Sequence, residues 1–378
     1  MNKSSYLKKL MNGVVVEWVS LDNIFDIFAG GDVPKESLSD IQTEEFNVPI
    51  LSNGIGDNSL YGWTNQAKIS SPSLTISARG TIGWTSYRDT PFFPIVRLLV
   101  LTPKTELNLK YAYYFMKMIE GDYKTPKTGI PQLTKPMLKG IRIPIPCPNT
   151  PEKSLAIQSE IVRVLDKFSA LTTALTAELT ARKKQYNYYR NQLLSFNEGE
   201  VECKMLGEIT KKISSGRNKA RQSEGDFPVY GSTGLLGYTH EPIYSGNLLL
   251  VARVGAYAGL VNSVSGHFDV SDNTLIIHPS DSWNARFAFH QLRHMNLNKY
   301  AVGAGQPLIT GGLLKNLKVP FPPMTEQIRI ARILDKFETM TASVSEGLPR
   351  EIELRQKQYE YYRDSLFSFP KTDAMDVA

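Results

Sequence analysis

Cysteine is nearly absent: the 378 residues hold two, Cys147 and Cys203, far apart and with no CxxC pair. That excludes a disulfide framework and leaves a zinc site without support; both thiols are expected to be small buried fillers. Long apolar runs are missing as well. Stretches such as Leu248–Ala252 fall far short of the roughly 20 residues that span a bilayer, and residues 1–10 lack the apolar core of a signal peptide. A cytoplasmic protein with no membrane partner is expected.

The phosphate loop GxxxxGK[ST], the cofactor loop GxGxxG and the metal motif HExxH are also lacking. Phe321-Pro322-Pro323-Met324 lacks both outer residues of an amino-methyltransferase tetrad, and Asp122-Tyr123-Lys124 is only the tail of a nuclease-like carboxylate–lysine pattern. The five histidines, His240, His267, His278, His290 and His294, all fall in the second half. His290 and His294 have the i, i+4 spacing of a metal pair, with solvated or core histidines as the other reading. No carboxylate, histidine or cysteine site recurs in both halves, so no catalysis and no cofactor of its own are expected.

What the chain does have is itself, twice. Residues 128–146 read TGIPQLTKPMLKGIRIPIP and residues 304–322 read AGQPLITGGLLKNLKVPFP. LDKF at 165–168 recurs at 334–337, and QYNYYRNQLLSF at 185–196 recurs as QYEYYRDSLFSF at 358–369. The period is far longer than that of a solenoid repeat, so each copy can bury its own core. Two similar globular domains, each followed by a long helix, are expected.

In each copy a short β-rich run, Ser73–Ala78 or Asn247–Ala252, ends in Ala-Arg and a glycine turn. Strand-like runs follow at Phe93–Thr102 and Val270–His278, then helical stretches at Leu109–Ile119 and Trp283–Leu292. The mixture predicts an α+β domain. Glycine-rich loops beside aromatics (Pro49–Gly54 with Tyr61–Thr64, Pro228–Gly234 with Leu236–Thr239) suit close approach to a ligand, and plain β-turns are the other reading. Arg79 and Arg253 at the strand ends fit either a base or phosphate contact or a brace for the glycine turn.

The net charge of +6 is modest, but its placement is telling. Residues 123–144 and 286–318 carry bases and no acid, and residues 204–221 set Lys211, Lys212, Arg217, Lys219 and Arg221 against Glu208 alone. Any one stretch reads as a solvated basic face; three at related positions favour a polyanion partner.

Alternate steps of four and three residues pick out Ile161, Leu165, Phe168, Leu175, Leu179, Tyr186, Tyr189 and Leu193 in the first linker. In the second they pick out Ile330, Leu334, Phe337 and Val344, then, after a stutter, Tyr359, Tyr362 and Leu366. Such stripes mark coiled-coil helices that fit one another or dock on partners, and Gly347 with Pro349 predicts a kink or break in the second. Helices of roughly 36 to 40 residues are about 55 to 60 Å long, enough to hold two domains at a fixed spacing.

These features together resemble the specificity subunit of a type I restriction-modification system: Gly30-Gly31 or Ser215-Gly216 after a strand, the Ala-Arg-glycine turn, the duplicated string around Gln132 and Gln306, and a Pro-x-x-Glu-Gln helix start at Pro323–Gln327. The first copy departs from that start and approaches LDKF through a longer segment. The resemblance implies residues 1–150 and 200–322 as target-recognition domains and residues 151–199 and 323–378 as antiparallel helical spacers in a pseudo-twofold arrangement. It also implies a non-catalytic reader of double-stranded DNA, each domain taking half of a bipartite asymmetric site. Two methyltransferase subunits would bring S-adenosylmethionine, and an endonuclease subunit is a further partner the resemblance allows. Candidate DNA contacts are Arg79, Lys124, Lys127, Gln132 and Lys135 in the first copy. In the second they are Arg217, Asn218, Lys219, Arg221, Tyr230, Ser232, Arg253 and Gln306. A coiled-coil scaffold binding proteins alone is the competing reading.

Overall fold

The computed structural model describes residues 13–123, 131–197, 199–218, 222–303, 305–342 and 347–369. Two compact units result, one running through Thr173 and resuming at Glu353, the other spanning Ala174–Ile352. Neither coincides with a spacer boundary, because each unit takes part of both long helical segments.

Unit 1 contains β1 (Val16–Ser20), α1 (Leu21–Ile24), β2 (Phe25–Ala29), β3 (Val48–Leu51), β4 (Leu60–Thr64), β5 (Ser73–Ile76), β6 (Thr85–Arg88), β7 (Phe93–Pro94) and β8 (Leu99–Pro103). These are followed by α2 (Leu109–Met118), α3 (Lys135–Lys139), β9 (Arg142–Pro146) and the first half of α4 (Pro151–Leu194). An antiparallel sheet in the order β2-β8-β5-β6 carries the core, β4-β3-β7 form a smaller sheet, and β1 pairs with β9. Helix α2 starts where Asn108 Oδ1 accepts the backbone N–H groups of Lys110 and Tyr111, and it buries Tyr111, Ala112, Tyr114, Phe115 and Met116. The sheet and α2 share one apolar core with Ile161 and Leu165 of α4 and with Leu366, Phe367 and Phe369 from the end of the chain.

Unit 2 rebuilds this plan. Its strands are β10 (Cys203–Met205), β11 (Thr210–Ser215), β12 (Phe227–Gly231), β13 (Gly234–Thr239), β14 (Tyr244–Ser245), β15 (Leu248–Ala252), β16 (Val261–Val264), β17 (His267–Val270) and β18 (Thr274–Pro279). After them come α5 (Ala285–Met295), α6 (Gly311–Lys315), β19 (Lys318–Pro320), α7 (Met324–Ala342) and the start of α8 (Gly347–Leu366), which from Glu353 onward belongs to unit 1. The order β11-β18-β15-β16 matches β2-β8-β5-β6, while the smaller sheet gains a strand as β13-β12-β17-β14. The α+β expectation holds in both copies, but the runs Phe93–Thr102 and Val270–His278 are not single strands: each is divided by a turn, into β7 and β8 and into β17 and β18, which lie in different sheets.

Where the small and large sheets meet, a glycine is required in each unit. A Cβ on Gly30 would lie 2.8 Å from Ile95 N and Pro94 O, and one on Gly216 would lie 2.2 Å from Ser271 O. Both approaches are to backbone, which cannot swing away.

The helical stripes do two jobs. At their ends they enter the domain cores; between, they meet each other. Phe168 stacks on Tyr362 at 5.1 Å within unit 1, and Tyr189 stacks on Phe337 at 5.5 Å within unit 2. Leu175 and Leu179 are half-buried, and Val344 lies outside the described residues. The expected break is present: Gly347 is left-handed at φ +75°, and its Cβ would fall 2.5 Å from Thr339 O. In the first copy the longer approach to LDKF extends α4 at its N-terminus, where Ser154 and Gln158 are buried.

Each helix is pinned to its domain by the same two side chains. Gln158 Oε1 accepts Asn108 N at 2.9 Å, and Gln327 Oε1 accepts Asn284 N at 2.8 Å. The aspartate of LDKF takes the second contact. Asp166 accepts Lys110 Nζ at 2.9 Å and Tyr114 Oη at 2.6 Å, and Asp335 accepts Arg286 Nη2 and His290 Nε2, each at 2.6 Å. His290, Asp335 and Glu338 lie close enough together to hold a cation. Arg286 already fills that space with hydrogen bonds to both carboxylates, and His294 belongs to no such cluster among the described residues. The fold thus places the two histidines apart in role: among the described residues, His290 joins a carboxylate cluster and His294 does not.

Two corrections follow from the three-dimensional neighbours. Cys203 is exposed and Cys147 half-buried, so the thiols are not core fillers. In the third basic stretch, Arg286 and Arg293 are paired with Asp335 and Glu338 of α7, acids distant in sequence, and so do not face a polyanion.

Gly30→Ala should destabilise unit 1 by about 1 to 3 kcal/mol through overpacking, measured by denaturant titration, while Gly31→Ala, with open space at its Cβ, should be nearly neutral. Acid should weaken unit 2 first. Burial lowers the pKa of His290 against the pull of Asp335, and burial likewise lowers those of His278 and His294. Below the unfolded-state value of about 6.5 the unfolded chain binds protons that the folded unit resists, so this stability is complete above that pH and lost as pH falls toward the folded values. Thermal melts from pH 8 to 5 should show Tm falling below about pH 6.5, with a shallower fall in His290→Gln.

Candidate nucleic-acid interface

In each unit, loops from both sheets converge on one edge. In unit 1 they follow β2, β3, β5 and β7, and the segment leading into α3 joins them. Asn53 holds two together: its Oδ1 accepts Ala78 N at 2.6 Å and its Nδ2 donates to Val96 O at 2.8 Å. Arg97 N donates to Gly30 O, and Leu133 N to Ala78 O, both at 2.9 Å.

On this frame the side chains of Arg79 and Gln132 meet. Arg79 Nε and Nη2 donate to Gln132 Oε1 at 2.9 and 2.6 Å, and Arg97 Nη1 approaches the same oxygen at 3.5 Å. Neither arginine forms an ion pair with a described residue. Arg97 was invisible to sequence reasoning because nothing marks it in the chain; it is exposed and becomes part of the cluster only through the fold.

Unit 2 builds the equivalent edge with different side chains. Arg217 N and Asn218 N both donate to Val270 O at 3.0 Å, and Asn218 Nδ2 donates to Asp269 Oδ2 at 2.5 Å. Ser232 Oγ and Arg253 N converge on Asn273 O at 2.8 and 3.0 Å. The Arg253 side chain, half-buried, has no hydrogen bond or ion pair to a described residue. Arg217 and Gln306 are exposed, and Gln306 adjoins Pro307, whose carbonyl holds Gly255 N at 3.0 Å. Tyr230 packs edge-on against Phe268 at 5.8 Å. Lys135 is exposed at the start of α3. Lys124, Lys127, Lys219 and Arg221 lie outside the described residues.

The long helices offer a second surface that the stripe analysis passed over. Tyr188 and Tyr361, at matching places in the duplicated QY-x-YYR string, are 58% and 67% exposed. Each packs edge-on against the next tyrosine, Tyr189 or Tyr362, at 5.4 Å. No described helix is long and apolar enough to cross a membrane.

Comparison with known proteins agrees with this architecture. The family profile described as type I restriction modification DNA specificity domain matches residues 14–182 and 198–354. The chain is 36% identical to the type I restriction enzyme EcoR124I/EcoR124II specificity subunit of Escherichia coli, over 99% of this chain and 100% of that protein. It is 39% identical to the EcoprrI specificity subunit of the same species, over 92% and 93%. The crystal structure of a type I restriction-modification S subunit from M. genitalium shares the fold with a TM-score of 0.70 at 18% identity, covering 95% of this chain and 98% of that one. With both copies matched and the relatives covered almost end to end, this chain belongs to the type I restriction-modification DNA specificity family.

Proposed function

We propose that this chain is the non-catalytic reader of a type I restriction-modification complex, in which each unit contacts one half of a bipartite, asymmetric DNA site. The observation that carries the reading is the loop edge built twice. Gly30 recurs as Gly216, and the bonds of Gly30 N to Leu98 O and Leu133 N to Ala78 O recur as Gly216 N to Thr274 O and Ile309 N to Arg253 O, while the exposed polar and cationic side chains differ, as two unlike half-sites require. Arginines that meet no carboxylate suit phosphates and base edges, where charge-assisted and forked hydrogen bonds are strongest. Two modification subunits, docking on the matched tyrosine surfaces around Tyr188 and Tyr361, would bring S-adenosylmethionine and methylate adenine. An endonuclease subunit completes the assembly where the cell supplies one. The scaffold reading leaves these unpaired arginines without a purpose.

Exchanging residues 200–322 for the corresponding segment of a relative should alter one half of the sequence methylated in cells and leave the other unchanged; alteration of both halves would defeat the assignment of one unit to one half. Copurification should give two modification subunits per chain. Tyr361→Ala, at an exposed position, should leave Tm nearly unchanged and reduce that ratio.

A further inference from the structure

The turn that carries Arg97 stands apart from its counterpart in unit 2. Val96 and Arg97 are both left-handed, at φ 52° and 60°. For a β-branched residue that conformation is a true outlier, and it persists only where surrounding structure over-determines it. The surroundings do so here: Asn53 Nδ2 holds Val96 O, and Arg97 N donates to Gly30 O. At the matching place in unit 2 stand Asp272 and Asn273, neither with positive φ. The scaffold repeats, and the strained turn belongs to unit 1 alone.

We infer that Arg97, Arg79 and Gln132 form a single reading head in unit 1 that selects guanine. The inference rests on the proposal that unit 1 contacts DNA bases. Its chemistry follows from one saturated atom. An amide oxygen has two lone pairs, and Gln132 Oε1 already receives Arg79 Nε, Arg79 Nη2 and the longer approach of Arg97 Nη1. Gln132 therefore has no acceptor left for the N6 amino group of adenine, the contact through which glutamine reads that base. Nor can it receive the N4 amino group of cytosine. The groups the head can still offer are all donors: the Nε2 hydrogens of Gln132 and the remaining guanidinium hydrogens. No described carboxylate pairs with either arginine, so no carboxylate acceptor enters from a described neighbour. In the major groove a base edge with two adjacent acceptors and no donor is that of guanine, with N7 and O6. Gln132 is the positioning residue, because its oxygen holds the two guanidinium groups side by side, and Arg97, exposed on its fixed turn, makes the contact.

The test uses the chain assembled with its partner subunits. Duplexes bound from a random library are sequenced for the wild type and for Arg97→Lys, Arg97→Ala and Gln132→Ala, and melting temperatures confirm folding. The wild type should select a half-site containing guanine, and that half should be the one retained when residues 200–322 are exchanged. Arg97→Lys should keep total affinity and its salt dependence while losing about tenfold or more of the preference for guanine at one position, since the charge remains and the fork does not. Gln132→Ala should relax the same position. Replacing that guanine by 7-deazaguanine, which removes the N7 acceptor, should weaken the wild type and leave a folded Arg97→Ala unaffected; the wild-type arm needs no variant, and an unweakened wild type would overturn the guanine assignment. If the half-site retained on exchange holds no guanine, or if Arg97→Ala weakens all sequences alike and reduces the salt slope by about one, the guanine assignment is wrong while the DNA reading stands. If the wild type selects no sequence at all, both fall together.

Discussion

One carboxylate on each long helix fixes everything that depends on helix and domain moving as one body. Asp166 and Asp335 occupy the same place in LDKF, and each accepts a cation and a second donor from the domain helix: Lys110 and Tyr114 in one unit, Arg286 and His290 in the other. The donors are different chemistry at identical positions. A buried or half-buried carboxylate must be met by hydrogen bonds or lose far more than it contributes, so the clamp tolerates exchange of its donors and not their absence. The neighbouring glutamine, Gln158 or Gln327, ties the start of the domain helix to the same stretch of spacer. With the helix locked in rotation, its apolar stripe enters the core at one end and meets the other helix beyond.

Duplication separates what must be kept from what is free to change. Gly30 and Gly216 remain glycine because backbone passes within 3 Å of where a Cβ would stand, and the sheet order is preserved strand for strand in the larger sheet. The loop edge has no such constraint on its exposed side chains. Unit 1 places Arg97 on a strained turn against Gln132, whereas unit 2 has Asn273 at that turn and uses its carbonyl to gather Ser232 and Arg253. A shared scaffold with unlike edges is the physical form that an asymmetric bipartite site demands of a repeated protein.

Charge shows the limit of reading along the chain. Cations divide in space into two populations. Arg286 and Arg293 are consumed by Asp335 and Glu338, Lys139 by Asp22 and Lys211 by Asp281, while Arg79, Arg97 and Arg253 meet no described carboxylate. An acid-free stretch says nothing of acids that the fold brings from elsewhere, and the second population, not the first, defines the candidate DNA surface.

The duplication, the α+β domains, the helices and most strands, the coiled-coil stripes and the break near Gly347 were legible in the sequence, because repeat, periodicity and turn chemistry are local properties; the turns that divide Phe93–Thr102 and Val270–His278 between two sheets were not. Family membership was legible for the same reason, its motifs being contiguous strings. The partners of those strings were not. LDKF stood out as a repeat without revealing that its aspartate is the clamp, since the donors lie about fifty residues away in sequence and reach it only once α2 or α5 packs on the spacer. Arg97 carried no signal at all. Its role depends on a left-handed turn, on Asn53 holding that turn, and on a glutamine from another loop whose one oxygen is shared by two arginines, and such convergence of side chains on a single atom is decided by tertiary structure alone.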